Sequence, residues 1–304
     1  METILETNNL EKKYKDFKAL NHTNIHIEKG AIYGLIGKNG AGKTTLIRII
    51  CGLQEPTNGT YTIYGVDNKS SNIASVRERM GAIIETPSIY GEMTARDNLI
   101  EQYKLVGMPE YDGIDDLLKL VGLENTGKKK AKNFSLGMKQ RLGIAIALAS
   151  HPDFLILDEP INGLDPTGII EIRELILNLN KKNNITILIS SHYLDELSKI
   201  ATHYGFLDNG TLIKEISSEE LMKKMEHKIE LKVNYQKDFV KYFETNGINY
   251  EVVDKETINV YGEQNLSKFI AKLTKNNLEA EEIHEYEESL ENYFINLIEG
   301  VKND

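Results

Sequence analysis

The segment Gly37-Lys38-Asn39-Gly40-Ala41-Gly42-Lys43-Thr44 fits the pattern G-x-x-x-x-G-K-[ST] at every fixed position, and it constrains the chain more than any other feature. Glycines let the backbone turn tightly enough for successive N–H groups to point inward at an anion. Lys43 adds a point charge for the outer phosphates of a nucleotide, and Thr44 offers a hydroxyl to Mg²⁺. The flanks agree. Ala31–Ile36 is a short apolar run that reads as a buried strand, and Thr45–Ile50 continues as a helix whose N-terminus favours an anion. A strand–loop–helix unit of this kind predicts a phosphate site.

Strand-like apolar runs alternate with helical patterns through about residue 214, as in a sheet covered by helices. Phe154–Leu157 and Ile185–Ile189 read as buried parallel strands, with a helical pattern over Ile169–Leu179 between them. Ile25–Ile27 and Thr60–Tyr64 predict an antiparallel lobe, and the stretch from about 86 to 150 a helical insertion. Beyond Asn209-Gly210 the texture changes. Alternating runs at Lys228–Val233, Asn249–Val253 and Thr257–Tyr261, helical patterns at 237–245 and 265–276, and a last helix over Ser289–Ile298 give the order β-α-β-β-α-β-α. That order fits a small α+β domain, with the ferredoxin-like fold as one arrangement. Residues 1–214 and 215–304 are therefore expected as two domains. Charge divides at the same place: residues 215–304 carry 20 acidic and 11 basic side chains, nine of the chain's ten net negative charges. Neither part has the basic footprint of a nucleic-acid binder.

No apolar run approaches the ~18 residues that a membrane span needs. The N-terminus lacks a secretory pattern, and the single cysteine, Cys51, suits a reducing compartment. A cytoplasmic protein is expected, with Cys51 as a small buried hydrophobe on the helix after the loop.

Three further segments carry chemistry. Asp158-Glu159 ends the strand Phe154–Leu157, where open α/β sheets bind ligands. Asp158 would hold Mg²⁺, and Glu159 would orient or deprotonate an attacking water. Ser190-Ser191-His192 ends the next strand in the same way, and the imidazole could donate to a terminal phosphate. The third segment is Asn133–Arg141, with Phe134-Ser135-Leu136-Gly137-Met138 at its centre.

With the phosphate loop, that segment, Asp158-Glu159, Leu164-Asp165 and His192 in this order, residues 1 to about 214 resemble the ATP-binding subunit of an ABC transporter. The resemblance implies an α/β phosphate-loop NTPase with a parallel-sheet core, an antiparallel lobe and a helical insertion, acting as an ATPase on ATP with Mg²⁺. It makes residues 37–44 and Thr45 the nucleotide-binding loop, and Tyr14 the aromatic on which adenine stacks. Asp165 joins the nucleotide-binding set through the Leu164-Asp165 motif. It implies that two copies close head to tail on ATP, so that Ser135 and the Gly137 N–H meet the other copy's nucleotide. It also implies a separate membrane permease subunit, which would hold this chain at the inner face of the membrane.

Glu85 stands where most of the family has Gln, and Leu136 and Met138 replace the common Gly and Gln of the signature. Glu85-Thr86-Pro87, Thr126–Lys130 and Phe134–Arg141 look like the bacitracin and lantibiotic self-protection branch. Glu85 is expected to act through Mg²⁺ or the water; the alternative is that it points elsewhere and does nothing. Lys128–Lys132 suits either partner contact or a solvated face, and Tyr90 and Met93 suit either a permease groove or internal burial. Ser289–Phe294 echoes an extension of similar exporter subunits, for which regulation, dimer support and a solubilising appendage all remain open. Other readings are an ABC ATPase exporting a different drug or lipid-like cargo, and a soluble ABC protein of DNA repair or the ribosome.

Overall fold

The computed structural model describes residues 2–303 apart from 109, 225, 226, 263, 264 and 288. It divides into two compact units, one of Met1–Ser218 with Gly300–Asp304 and one of Glu219–Glu299.

In the first unit the chain opens with β1 (Thr3–Tyr14), β2 (Phe17–Thr23) and β3 (His26–Glu28). It then runs through β4 (Ile32–Ile36) and the phosphate loop into α1 (Lys43–Ile50). β5 (Asn58–Ile63), β6 (Val66–Asp67), α2 (Ile73–Arg77) and β7 (Met80–Ile83) follow. The expected insertion holds α3 (Ala95–Leu105), α4 (Ile114–Leu120) and α5 (Leu136–Ala147). β8 (Phe154–Asp158), α6 (Pro166–Asn183), β9 (Thr186–Ser191), α7 (Leu194–Ser198), β10 (His203–Asp208) and β11 (Thr211–Ser217) complete it.

Two sheets result. The antiparallel one runs β2-β1-β5-β6 with β3 also on β1, and the other runs β11-β10-β4-β9-β8-β7. Every pairing in the second is parallel except that of β11 on its edge. Every residue of β4, β8 and β9 is buried, which is why these strands read as continuous apolar runs rather than alternating ones. Leu46, Ile47, Ile49 and Ile50 of α1 share one core with Leu5 and Leu10 of β1 and with Leu35, Ile156 and Leu188 of the parallel sheet. The helix after the phosphate loop is thus held from two sides. Local signals set the other helix ends: Thr94 and Asp97 form a reciprocal capping box at α3, and Pro166 sits in the first turn of α6.

The second unit begins within α8 (Ser218–Lys224). It contains β12 (His227–Lys232), α9 (Gln236–Asn246), β13 (Asn249–Val252) and β14 (Thr257–Tyr261). α10 (Leu266–Lys275), β15 (Glu282–Glu287) and α11 (Leu290–Asn303) close the chain. Its sheet is antiparallel throughout, in the order β13-β14-β12-β15, a split β-α-β arrangement. Ile229, Leu231, Ile258 and Val260 pack against Phe239 and Phe243 of α9 and Phe269 of α10. β15 is the strand that the sequence located least well. Its residues, Glu-Ile-His-Glu-Tyr-Glu, are half acidic, which its place at the sheet's edge, paired among the described strands only with β12, tolerates.

Among the described residues no helix is long and apolar enough to cross a membrane.

Candidate nucleotide site

Three neighbouring strands of the parallel sheet end together. Ile36 of β4 stands opposite Ser191 of β9, and Asp158 of β8 opposite Ser190. The phosphate loop, Asp158-Glu159 and His192 all follow these ends, so one edge of the sheet collects them.

Gly42 has φ +108° and precedes α1. A Cβ there would lie 2.4 Å from the Ala19 carbonyl oxygen, so no larger residue fits the present backbone. Gly40 has φ +83° with open space around its missing Cβ, so there only the backbone conformation asks for glycine. Lys38, Asn39 and Gly40 are exposed at the tip, Gly37 and Ala41 are buried, and Thr44 and Thr45 are half-buried. The Lys43 side chain turns inward. Its ammonium donates to the Gly37 carbonyl at 2.7 Å and lies 3.2 Å from Glu159 Oε1.

Asp158 is fully buried, and its hydrogen-bond partners are hydroxyls: Thr44 Oγ1 donates to Oδ2 at 2.9 Å and Ser190 Oγ to Oδ1 at 2.5 Å. Glu159 has φ +51°, a left-handed conformation that costs a non-glycine residue roughly 1–2 kcal/mol. Its N–H, donating to the oxygens of Ser190 at 3.0 Å (Oγ) and 3.1 Å (backbone), holds it there. The turn carries the Glu159 carboxylate sideways between Lys43 and His192, whose Nδ1 is 2.7 Å from Oε2. Lys43, Thr44, Asp158, Glu159 and His192 therefore form one connected set. Ser190 belongs to it as well: it was visible in the Ser-Ser-His segment, yet nothing in the sequence said that its hydroxyl would bind both the Asp158 carboxylate and the Glu159 N–H.

Glu85 is elsewhere. Its φ is +61°, and its exposed carboxylate accepts from Arg48 Nη2 of α1 at 2.7 Å. Among the described residues no three or more His, Cys, Asp or Glu side chains cluster so as to hold a metal, and Glu85 is engaged by Arg48 rather than poised for the metal or water role expected of it. The reason is electrostatic: an available guanidinium beside Glu85 is a better partner than a second buried carboxylate. Asp165 differs too. Its Oδ1 accepts the Gly168 N–H at 2.9 Å and caps α6, and no described hydrogen bond joins it to the phosphate loop.

Ser135 caps α5, its Oγ accepting the Met138 N–H at 3.2 Å. Ser135 and Leu136 are exposed and Gly137 is half-buried, with no described hydrogen bond to this chain's own phosphate loop. Tyr14 is 41% exposed at the end of β1. Its hydroxyl donates to Gln54 Oε1, and Lys12 Nζ stands 5.3 Å from its ring centre. Lys130 and Lys132 both pair with Glu92, whose carboxyl is held below its usual range by those hydrogen bonds. Tyr90 is 55% exposed, and Met93 is half-buried with its N–H on the Tyr90 carbonyl.

The ABC transporter family profile matches residues 20–162. The bacitracin transport ATP-binding protein BcrA of Bacillus licheniformis is 43% identical over 305 aligned residues, spanning 99% of each chain. The chain belongs to the ABC transporter ATP-binding proteins. It is accordingly an ATP-binding subunit of an ATPase family, with the α/β cassette fold of that family. The lantibiotic transport ATP-binding protein SrtF of Streptococcus pyogenes is 44% identical over 70% of this chain and 90% of its own. Among solved structures, cbiO1 from Clostridium perfringens, part of the ABC transporter complex cbiONQ, superposes with a TM-score of 0.66 at 29% identity. That match covers 74% of this chain and 92% of cbiO1. The similarity to BcrA thus runs through the second unit, whereas those to SrtF and cbiO1 span about the length of the first.

Proposed function

We propose that this chain hydrolyses ATP to drive a separate membrane subunit that exports bacitracin- or lantibiotic-type peptide antibiotics, protecting the cell that makes it. The observation that carries the reading is the end-to-end similarity to BcrA. In this reading the chain works at the cytoplasmic face of the membrane, bound to the permease.

The chemistry assigned to each residue follows from its position. Backbone N–H groups of residues 37–45 cradle the phosphates, and Lys43 neutralises their outer oxygens. Glu159 orients the attacking water and takes its proton. Its contact with His192 Nδ1 orients the imidazole and leaves Nε2 to reach the terminal phosphate. Mg²⁺ fits beside Thr44 and Asp158: both offer hard oxygen ligands, and Asp158 is a buried carboxylate whose described side-chain partners are neutral hydroxyls. When bound, the ion would offset phosphate charge. Thr44 and Asp158 would hold it, and Ser190 keeps Asp158 in place. Tyr14, 41% exposed, offers its ring to the base.

Ser135 and Gly137 act on a second copy. Their position at the start of the 12-residue α5, with Ser135 exposed and Gly137 half-buried, suits a phosphate presented from outside the chain. Two copies then close on ATP and reopen after hydrolysis. Glu85, neutralised by Arg48, has no metal role in this scheme, and Asp165 serves by capping α6.

The test is a resistance assay combined with co-purification. Lys43→Ala in the intact host is expected to abolish resistance to bacitracin or a lantibiotic while the chain still co-purifies with an integral membrane protein. Unchanged resistance across a panel of such peptides would refute the cargo, and the ATPase assignment would stand.

A further inference from the structure

The second unit contains a cavity that the ATPase scheme does not use. β12 and β15 are antiparallel neighbours with Lys232 opposite Glu282, so the chain leaving β12 and the chain entering β15 meet at one end of the sheet. Residues 234–235, the first turn of α9 and residues 277–281 line a half-open cleft of about 430 Å³ there. That volume is within the roughly 300–1,000 Å³ typical of small-molecule sites.

Its lining is of two kinds. Phe239 and Leu278, both buried core residues, form an apolar floor, and Tyr235 stands at the mouth with 77% of its surface exposed. Asp238, Glu279 and Glu281 supply three carboxylates, and no lysine, arginine or histidine lines the space. Glu281 accepts from Asn234 Nδ2 at 2.5 Å, and its N–H donates to the Lys232 carbonyl at 2.8 Å, which ties the two loops together. The side chains of Asp238 and Glu279 have no hydrogen-bond or ion-pair partner among the described residues. The N-terminus of α9 offsets part of the Asp238 charge, and nothing in the lining offsets Glu279. An exposed aromatic ring, an apolar floor and uncompensated negative charge together favour a positive group with a hydrophobic body.

We propose that this cavity binds a small organic cation, an ammonium or guanidinium carried on an aromatic or aliphatic body. The charge sits among Asp238, Glu279 and the face of Tyr235, and the body lies on Phe239 and Leu278. The inference does not rest on the transport reading.

Benzylamine is the probe, titrated into the full-length chain while backbone amides are followed by NMR. Saturable shifts confined to residues 234–239 and 277–281 are expected, weakening as salt is added. Glu279→Gln, an exposed and nearly isosteric change, should weaken binding about tenfold, and Tyr235→Ala about threefold. Unaltered thermal unfolding of both variants would keep these losses attributable to the site. Equal shifts from benzyl alcohol would overturn the requirement for charge, and equal affinity for methylammonium the requirement for a body. Absence of shifts in these loops at tens of millimolar probe, or wild-type binding by Glu279→Gln, would overturn the site itself. The same titration on Lys43→Ala should give the same shifts, so the outcome is separable from that of the ATPase.

Discussion

The two units treat polar side chains in opposite ways. In the first, Lys43, Asp158, Ser190 and Ser191 are all buried, and they gather where three neighbouring strands of a parallel sheet stop. In the second, Asn259 is the one buried polar side chain among the described residues, and no carboxylate is among the buried ones. The difference follows from topology. Parallel strands all end on the same side, so their following loops converge, and helices on both faces keep that edge partly dry. An antiparallel sheet sends alternate strands in opposite directions, dividing its loops between two ends. A site with buried charges needs the first arrangement; a shallow, solvent-fed cavity is what the second supports.

If that contrast is correct, the largest effect will come from the buried edge. Glu159→Gln keeps the shape and removes the base, and ATP hydrolysis is expected to fall by about 10²–10⁴ with ATP binding retained, as measured by phosphate release. Asp238→Asn, an acid of the second unit, should leave the rate unchanged. A Glu159→Gln rate close to wild type would end the assignment of that residue.

The next largest effect tests whether the second unit is separable. Phe243 is fully buried, with ring centres of Phe239, Tyr250 and Phe269 at 6.1, 5.5 and 6.4 Å. Phe243→Ala should cost about 3–5 kcal/mol in a denaturant transition assigned to this unit, while ATP affinity holds. A parallel loss of ATP affinity would show that the units stand or fall together.

Within the phosphate loop, Gly42→Ala forces a backbone shift, because the added Cβ meets the Ala19 carbonyl. Gly40→Ala adds only the strain of a positive φ, roughly 1–2 kcal/mol. ATP affinity measured by calorimetry should therefore fall more for Gly42→Ala, and the reverse order would mean that the tip is the more constrained point. The smallest effect concerns Cys51, which is half-buried rather than buried as expected, yet whose thiol is pushed up to about 12 by desolvation. Because folding raises this value, the thiol stays protonated at pH 8, and an appreciable minority of thiolate forms only on unfolding. Iodoacetamide should label it slowly in the native protein and completely in urea, as read by mass spectrometry. Rapid native labelling would contradict that desolvation.

Much of this was legible locally. The glycines and Lys43-Thr44 name their ligand because backbone geometry and charge are properties of the segment itself. Phe154–Leu157 and Ile185–Ile189 were readable as strands because burial on both faces leaves continuous apolar runs. Glu85 shows where such reading stops. Its type and position suggested a metal, yet its direction depended on Arg48, 37 residues away. Asp165 was placed with the nucleotide set by its motif, while the local competition for its carboxylate went to the Gly168 N–H. β15 was obscured because an edge strand in water tolerates charge, which removes the alternation that marks other strands.

By itself the sequence determined the phosphate loop, the succession of strands and helices, and the family to which the chain belongs, because each depends on neighbours along the chain or on order within it. Tertiary structure decided which of the candidates meet. Thr44 and Asp158 are 114 positions apart and share a hydrogen bond, and Ser190, with no role assigned from sequence, holds both Asp158 and the left-handed turn of Glu159. Those contacts depend on strand order and register, which are set by how whole faces pack rather than by any residue taken singly.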